Sequence, residues 1–140
     1  MERIKAAIFD VDGTLFDYRE RKLHDSTVRA VRELKEKGCG IWLLSNASRR
    51  QHEYWPRCPG SDLFDGTLIS ADVGLMKPQR EIYELCLERF GLKAEECFFI
   101  DDAPANIEGA LRCGISGAVF HGDAAYLRRQ LRTAGVDVTE

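Results

Sequence analysis

Apolar runs of membrane-spanning length are missing from this 140-residue chain, and so is any block or stripe of basic residues. The first absence argues against a membrane partner. The second, with a net charge of −3, argues against duplex nucleic acid. No C-x-x-C spacing connects the five cysteines, Cys39, Cys58, Cys86, Cys97 and Cys113. An odd number without that spacing gives little support to a zinc site and reads as reduced core thiols of a cytoplasmic protein. The first predicted strand begins at Ile4, which leaves no room for a signal peptide. Repeats, low-complexity tracts and linkers are also lacking, so the expectation is one domain over residues 1–140.

What is present is ordinary globular material: 44% hydrophobic and 31% charged residues, enough to bury a core. Strand-like and helix-like segments alternate along the chain. Apolar runs predict strands over residues 4–9, 40–45, 67–70, 97–100 and 117–120. Helical spacing predicts helices over 25–37, 79–90, 104–113 and 123–134, with a short one near 48–54. A polar loop is expected between the first strand and the first long helix. Such alternation implies a parallel sheet covered by helices on both faces, here a three-layer, Rossmann-like α/β domain of about five strands.

The chemistry collects where the strands stop. The first strand ends on Asp10-Val11-Asp12-Gly13, the second on Ser45-Asn46 and the fourth on Asp101-Asp102; Lys77 stands just before a helix. In a parallel sheet those ends share one edge, where ligands bind. Adjacent carboxylates repel unless a cation, a proton or hydrogen-bond donors compensate them. Carboxylates with one lysine suit a hard divalent cation such as magnesium, and the cation, lysine, hydroxyl and backbone N–H groups together suit a phosphoryl group. The separate alternatives are blander: a turn at D-x-D-G, helix caps at Ser45-Asn46 and Asp101-Asp102, and a solvated loop lysine. His52, Tyr54 and Trp55 read as packing under a loop ahead of lining a substrate rim.

Taken in order, D-V-D-G-T-L, W-L-L-S-N, M-K-P and F-F-I-D-D resemble the four motifs of the haloacid dehalogenase-like phosphatases. Residues 70–114 look most like the branch of sugar-phosphate phosphatases and epoxide-hydrolase-linked phosphatase domains. The resemblance implies that Asp10 attacks phosphorus and that Asp12 serves as acid and then base. It implies magnesium held by Asp10, the Asp12 carbonyl and Asp102, with Asp101 acting through a water. Ser45, the Asn46 N–H and Lys77 would bind phosphoryl oxygens, Gly13 would let the backbone approach them, and Asn106 would orient a metal-bound water.

The cap common in that branch has no room here, since only residues 16–24 fill its usual place. A bare core leaves the site open to water. A small phosphorylated metabolite is therefore weighed against a phosphoprotein or nucleic-acid end, and against a lid lent by a second subunit. Chain order separates the protein from a signalling receiver, whose lone acceptor aspartate lies mid-chain. An open site disfavours a phosphomutase, and Asp12 with the second acidic pair suits phosphate better than a carbon–halogen bond. A non-catalytic phospho-binding module remains the bland alternative.

Overall fold

Residues 4–10, 16–17, 22–23, 25–58, 60–120 and 123–136 are described by the computed structural model. Strand β1 (Ala6–Phe9) is followed by β2 (Phe16–Asp17), β3 (Lys22–Leu23), helix α1 (Asp25–Glu36), β4 (Gly40–Ser45) and α2 (Gln51–Tyr54). Then come β5 (Gly66–Ile69), α3 (Ser70–Val73), α4 (Arg80–Phe90), β6 (Cys97–Asp101), α5 (Pro104–Arg112), β7 (Ser116–Val119) and α6 (Ala124–Thr133). Five strands form one parallel sheet in the order β5-β4-β1-β6-β7. The chain thus builds outward on one side of β1, crosses back, and builds outward on the other. The reversal places a ligand crevice at the C-terminal tip of β1.

The period-two alternation of strand side chains divides the core into two layers. Ala7 and Phe9 of β1, Ile41 and Leu43 of β4, and Phe98 and Ile100 of β6 pack with Val31 and Leu34 of α1 and Leu127 and Leu131 of α6. Ala6, Ile8, Leu44 and Phe99 face the other way, onto Ile82, Tyr83 and Cys86 of α4 and Ile107 and Ala110 of α5. Gly109 of α5 lies so close to α4 that a Cβ there would stand 2.9 Å from the Tyr83 ring. Without that atom Tyr83 remains buried, and its hydroxyl donates to the Asn106 carbonyl at 2.7 Å.

The expected fold class is present. Two short features differ from the sequence expectation. The expected polar loop contains a two-stranded antiparallel ribbon, with Phe16 opposite Leu23 and Asp17 opposite Lys22. Strand β5 also stops at Ile69, because Ser70 opens α3. The Ser70 hydroxyl accepts from the Ala47 N–H at 3.0 Å and donates to the Ala47 carbonyl at 3.2 Å. It bends the chain away from the sheet and ties it to the loop after β4.

Candidate active site

Register brings the predicted acids together. Phe9 pairs with Ile100 across β1 and β6, and the Asp10 N–H donates to the Ile100 carbonyl at 2.9 Å. Asp10 and Asp101 are therefore neighbours at the same strand edge, and both are buried. Lys77 arrives from the loop before α4 and sits over the Phe99 ring, 5.2 Å from its centroid. Its ammonium donates to Asp10 Oδ1 at 2.9 Å, to Asp101 Oδ2 at 2.8 Å and to the Leu44 carbonyl at 2.8 Å. An ammonium has three donors, so all of them are committed to the ends of β1, β4 and β6. The expectation that Lys77 reaches phosphoryl oxygens thus meets a lysine whose donors already hold two carboxylates and a carbonyl.

Asn46 fixes that lysine from its backbone. Its Oδ1 accepts from the Lys77 N–H at 2.8 Å, while its Nδ2 donates to the Lys77 carbonyl at 2.9 Å. The peptide that follows, Lys77–Pro78, is cis. Asp101 is equally engaged. Its Oδ1 accepts from the Ala103 N–H at 2.9 Å, and its Oδ2 accepts from Asn106 Nδ2 at 3.1 Å besides Lys77. Asn106 therefore braces Asp101. Asp102, half-buried beside it, completes the acidic group.

Carboxylate oxygens of Asp10, Asp101 and Asp102 lie within 4.8 Å of one another. Three acids against one ammonium leave the cluster short of positive charge. Burial pushes the Asp10 carboxyl up to about 7; the Lys77 charge opposes this, and Asp101 and Asp102 add to it. Burial raises the Asp102 carboxyl as well, with Asp101 contributing in the same direction. An all-oxygen donor set with that charge deficit fits magnesium, and a divalent cation would draw both acids back to their charged forms.

Ser45 closes β4 and is buried, its hydroxyl donating to Gln51 Oε1 at 2.9 Å. Gln51, at the start of α2, is a residue of this site that sequence reasoning passed over, and nothing in its local pattern marked it. Asp12 and Gly13 lie outside the described residues. Of the three residues weighed for a rim, Trp55 is core: it is buried with its ring edge-on to Phe64 at 5.1 Å. Tyr54 and His52 are exposed, and His52 Nε2 is 2.7 Å from Asp72 Oδ2.

A family model described as haloacid dehalogenase-like hydrolase matches residues 17–114. A sesquiterpene phosphatase of Aspergillus oryzae is 34% identical over 94 residues, covering 62% of this chain and 45% of that protein. Bifunctional epoxide hydrolase 2 of Mus musculus is 27% identical over 125 residues, covering 86% of this chain and 23% of that protein. The chain thus spans less than half the length of either relative. A solved haloacid dehalogenase family enzyme of Bacteroides thetaiotaomicron, in complex with magnesium and inorganic phosphate, superposes with a TM-score of 0.74. It is 19% identical, over 86% of this chain and 96% of that one, and so the likeness is one of fold.

Proposed function

The chain belongs to the haloacid dehalogenase-like hydrolases, and from that premise we propose that it hydrolyses small phosphomonoesters with magnesium, through an aspartyl-phosphate (an acyl phosphate) on Asp10. The observation that carries the proposal is the buried triangle of Asp10, Lys77 and Asp101 at the tip of the central strand, with Asp102 beside it. Lys77 holds one oxygen of Asp10 and so fixes the direction of the other. That second oxygen attacks phosphorus, and the bond from phosphorus to the leaving oxygen breaks. Asp12 gives its proton to the leaving oxygen. Water then attacks the same phosphorus, Asp12 takes a proton from it, and the bond to Asp10 breaks to release inorganic phosphate.

Asp10, the Asp12 carbonyl and Asp102 would hold magnesium, with Asp101 behind them. Bound there, the ion would neutralise charge developing on the phosphoryl oxygens. Ser45, the Asn46 N–H and the backbone at Gly13 would bind those oxygens, and Lys77 would hold Asp10 in place. A small substrate is favoured by the sesquiterpene phosphatase among the relatives. The test is phosphate release from a panel of isoprenoid phosphates, sugar phosphates, nucleotides and phosphopeptides, with magnesium or with chelator. Release from small members that needs magnesium and is abolished in Asp10→Asn is expected. An Asp10→Asn protein that keeps its activity would sink the covalent route, and activity confined to phosphopeptides would sink the small substrate.

A further inference from the structure

Resting on the proposed role of Ser45 at a phosphoryl group, we infer that Gln51 is a positioning residue that turns its carboxamide to make Ser45 a donor. Ser45 has one hydroxyl proton, and that proton points to Gln51 Oε1 at 2.9 Å. In this arrangement Ser45 presents only lone pairs. A phosphoryl oxygen also presents only lone pairs, so the two cannot bond until the proton is released. Rotating the hydroxyl alone would strand Gln51 Oε1 in a fully buried position.

The other end of the same carboxamide supplies the remedy. Gln51 Nε2 is buried and has no hydrogen-bond partner among the described residues. A half-turn of the amide about its terminal bond exchanges oxygen for nitrogen at nearly constant shape. The nitrogen then donates to Ser45 Oγ, which frees the Ser45 proton to meet a phosphoryl oxygen. Oε1 takes over the unpartnered position of Nε2, so one end of the amide stays unpaired as before, whereas rotating the hydroxyl alone would leave both ends unpaired. Neither step requires a main-chain movement, because Gln51 opens α2 and Ser45 closes β4. Gln51 thus serves as acceptor before phosphate arrives and as donor afterwards, touching the phosphoryl group only through Ser45.

The test uses p-nitrophenyl phosphate turnover with magnesium, and competitive inhibition by inorganic phosphate, for Gln51→Glu, Gln51→Leu, Ser45→Ala and Ser45→Ala/Gln51→Glu. A carboxylate only accepts, so it keeps the Ser45 proton; leucine neither accepts nor donates and leaves that proton free. Ser45→Ala removes the donor itself and should lower kcat/KM about a hundredfold. Gln51→Glu should approach that loss and weaken phosphate inhibition, while Gln51→Leu should lose only about tenfold or less. On the Ser45→Ala background Gln51→Glu should add almost nothing. Equal losses in the two Gln51 variants, or a Gln51→Glu loss undiminished without Ser45, would overturn the inference and leave the phosphatase intact. Should the glutamate variant fail to fold, a Gln51→Leu loss in kcat/KM as large as that of Ser45→Ala overturns it instead. Wild-type protein that neither turns over the ester nor binds phosphate overturns both the inference and the activity beneath it.

Discussion

Lys77 illustrates how much of this site is decided by single side chains. Its ammonium holds two carboxylates that would otherwise confront each other across adjacent strand ends. Replacing it by methionine keeps the length and removes the charge, leaving Asp10 and Asp101 buried without their cation. Breaking a buried ion pair from one side costs about 3–5 kcal/mol, less whatever one acid recovers by taking up a proton. Lys77→Met should therefore shift the urea midpoint markedly in magnesium-free buffer and abolish turnover. An unaltered midpoint would mean that the ion pairs contribute no net stability. The sequence marked Lys77, Asp10 and Asp101 as a group through their positions at element ends. It did not reveal that all three lysine donors are used within the protein, because Asp10 is 67 residues away and that contact exists only after folding. Gln51 was less legible still: a glutamine in a short polar helix has no pattern until Ser45 is seen beside it.

Among the elements, those fixed by their own periodicity were readable and those fixed by a distant partner were not. Strands β1, β4 and β6 are apolar runs that face two helical layers, and α1 and α4 show helical spacing. By contrast, α3 is four residues long and is tied to the loop after β4 by the Ser70 hydroxyl. The junction of β4 and β5 depends on a similar tie. Asp65 accepts from the Ile41 N–H at 2.8 Å and from Lys35 Nζ at 2.6 Å. Partial burial works to raise the Asp65 carboxyl, but the Lys35 and Ile41 hydrogen bonds and the Lys35 charge outweigh it and lower its pKa. A lowered pKa gives stability that is present above the unfolded value, near 3.9, and is lost as pH falls through the folded one. Asp65→Ala should cost about 1 kcal/mol at pH 7, mostly through the Ile41 N–H, since solvent screens the Lys35 pair. Urea midpoints of variant and wild type should differ at neutral pH and converge in acid. A difference that persists undiminished below the folded pKa would place its origin in packing.

At the scale of the molecule, two apolar layers on one parallel sheet explain why the architecture could be anticipated while the path after β1 could not. Alternating strands and helices leave few ways to bury both faces of a sheet, whereas residues 11–24 hold no comparable apolar pattern. The same two layers determine what becomes of the five cysteines. Cys39, Cys86 and Cys97 are buried, while Cys58 and Cys113 are half-buried. Burial pushes the Cys86 and Cys97 thiols up to about 12, with neighbouring charges of lesser effect, and it raises the other three as well. Thiolate is the reactive form, so at pH 8 the native protein should react slowly with an aromatic disulfide reagent. Cys58 and Cys113 should be modified first. Cys86, between α4 and the sheet, and Cys97, at the start of β6, should wait for that layer to separate. With a folding stability of about 5 kcal/mol or more, the open fraction is roughly one in several thousand or fewer. Two thiols should therefore titrate in the native protein and all five in denaturant, the last three tracking the unfolding transition. Fast native modification of Cys86 or Cys97 would instead show that the α4 layer lifts on its own, exposing the side of the sheet from which Lys77 reaches Asp10.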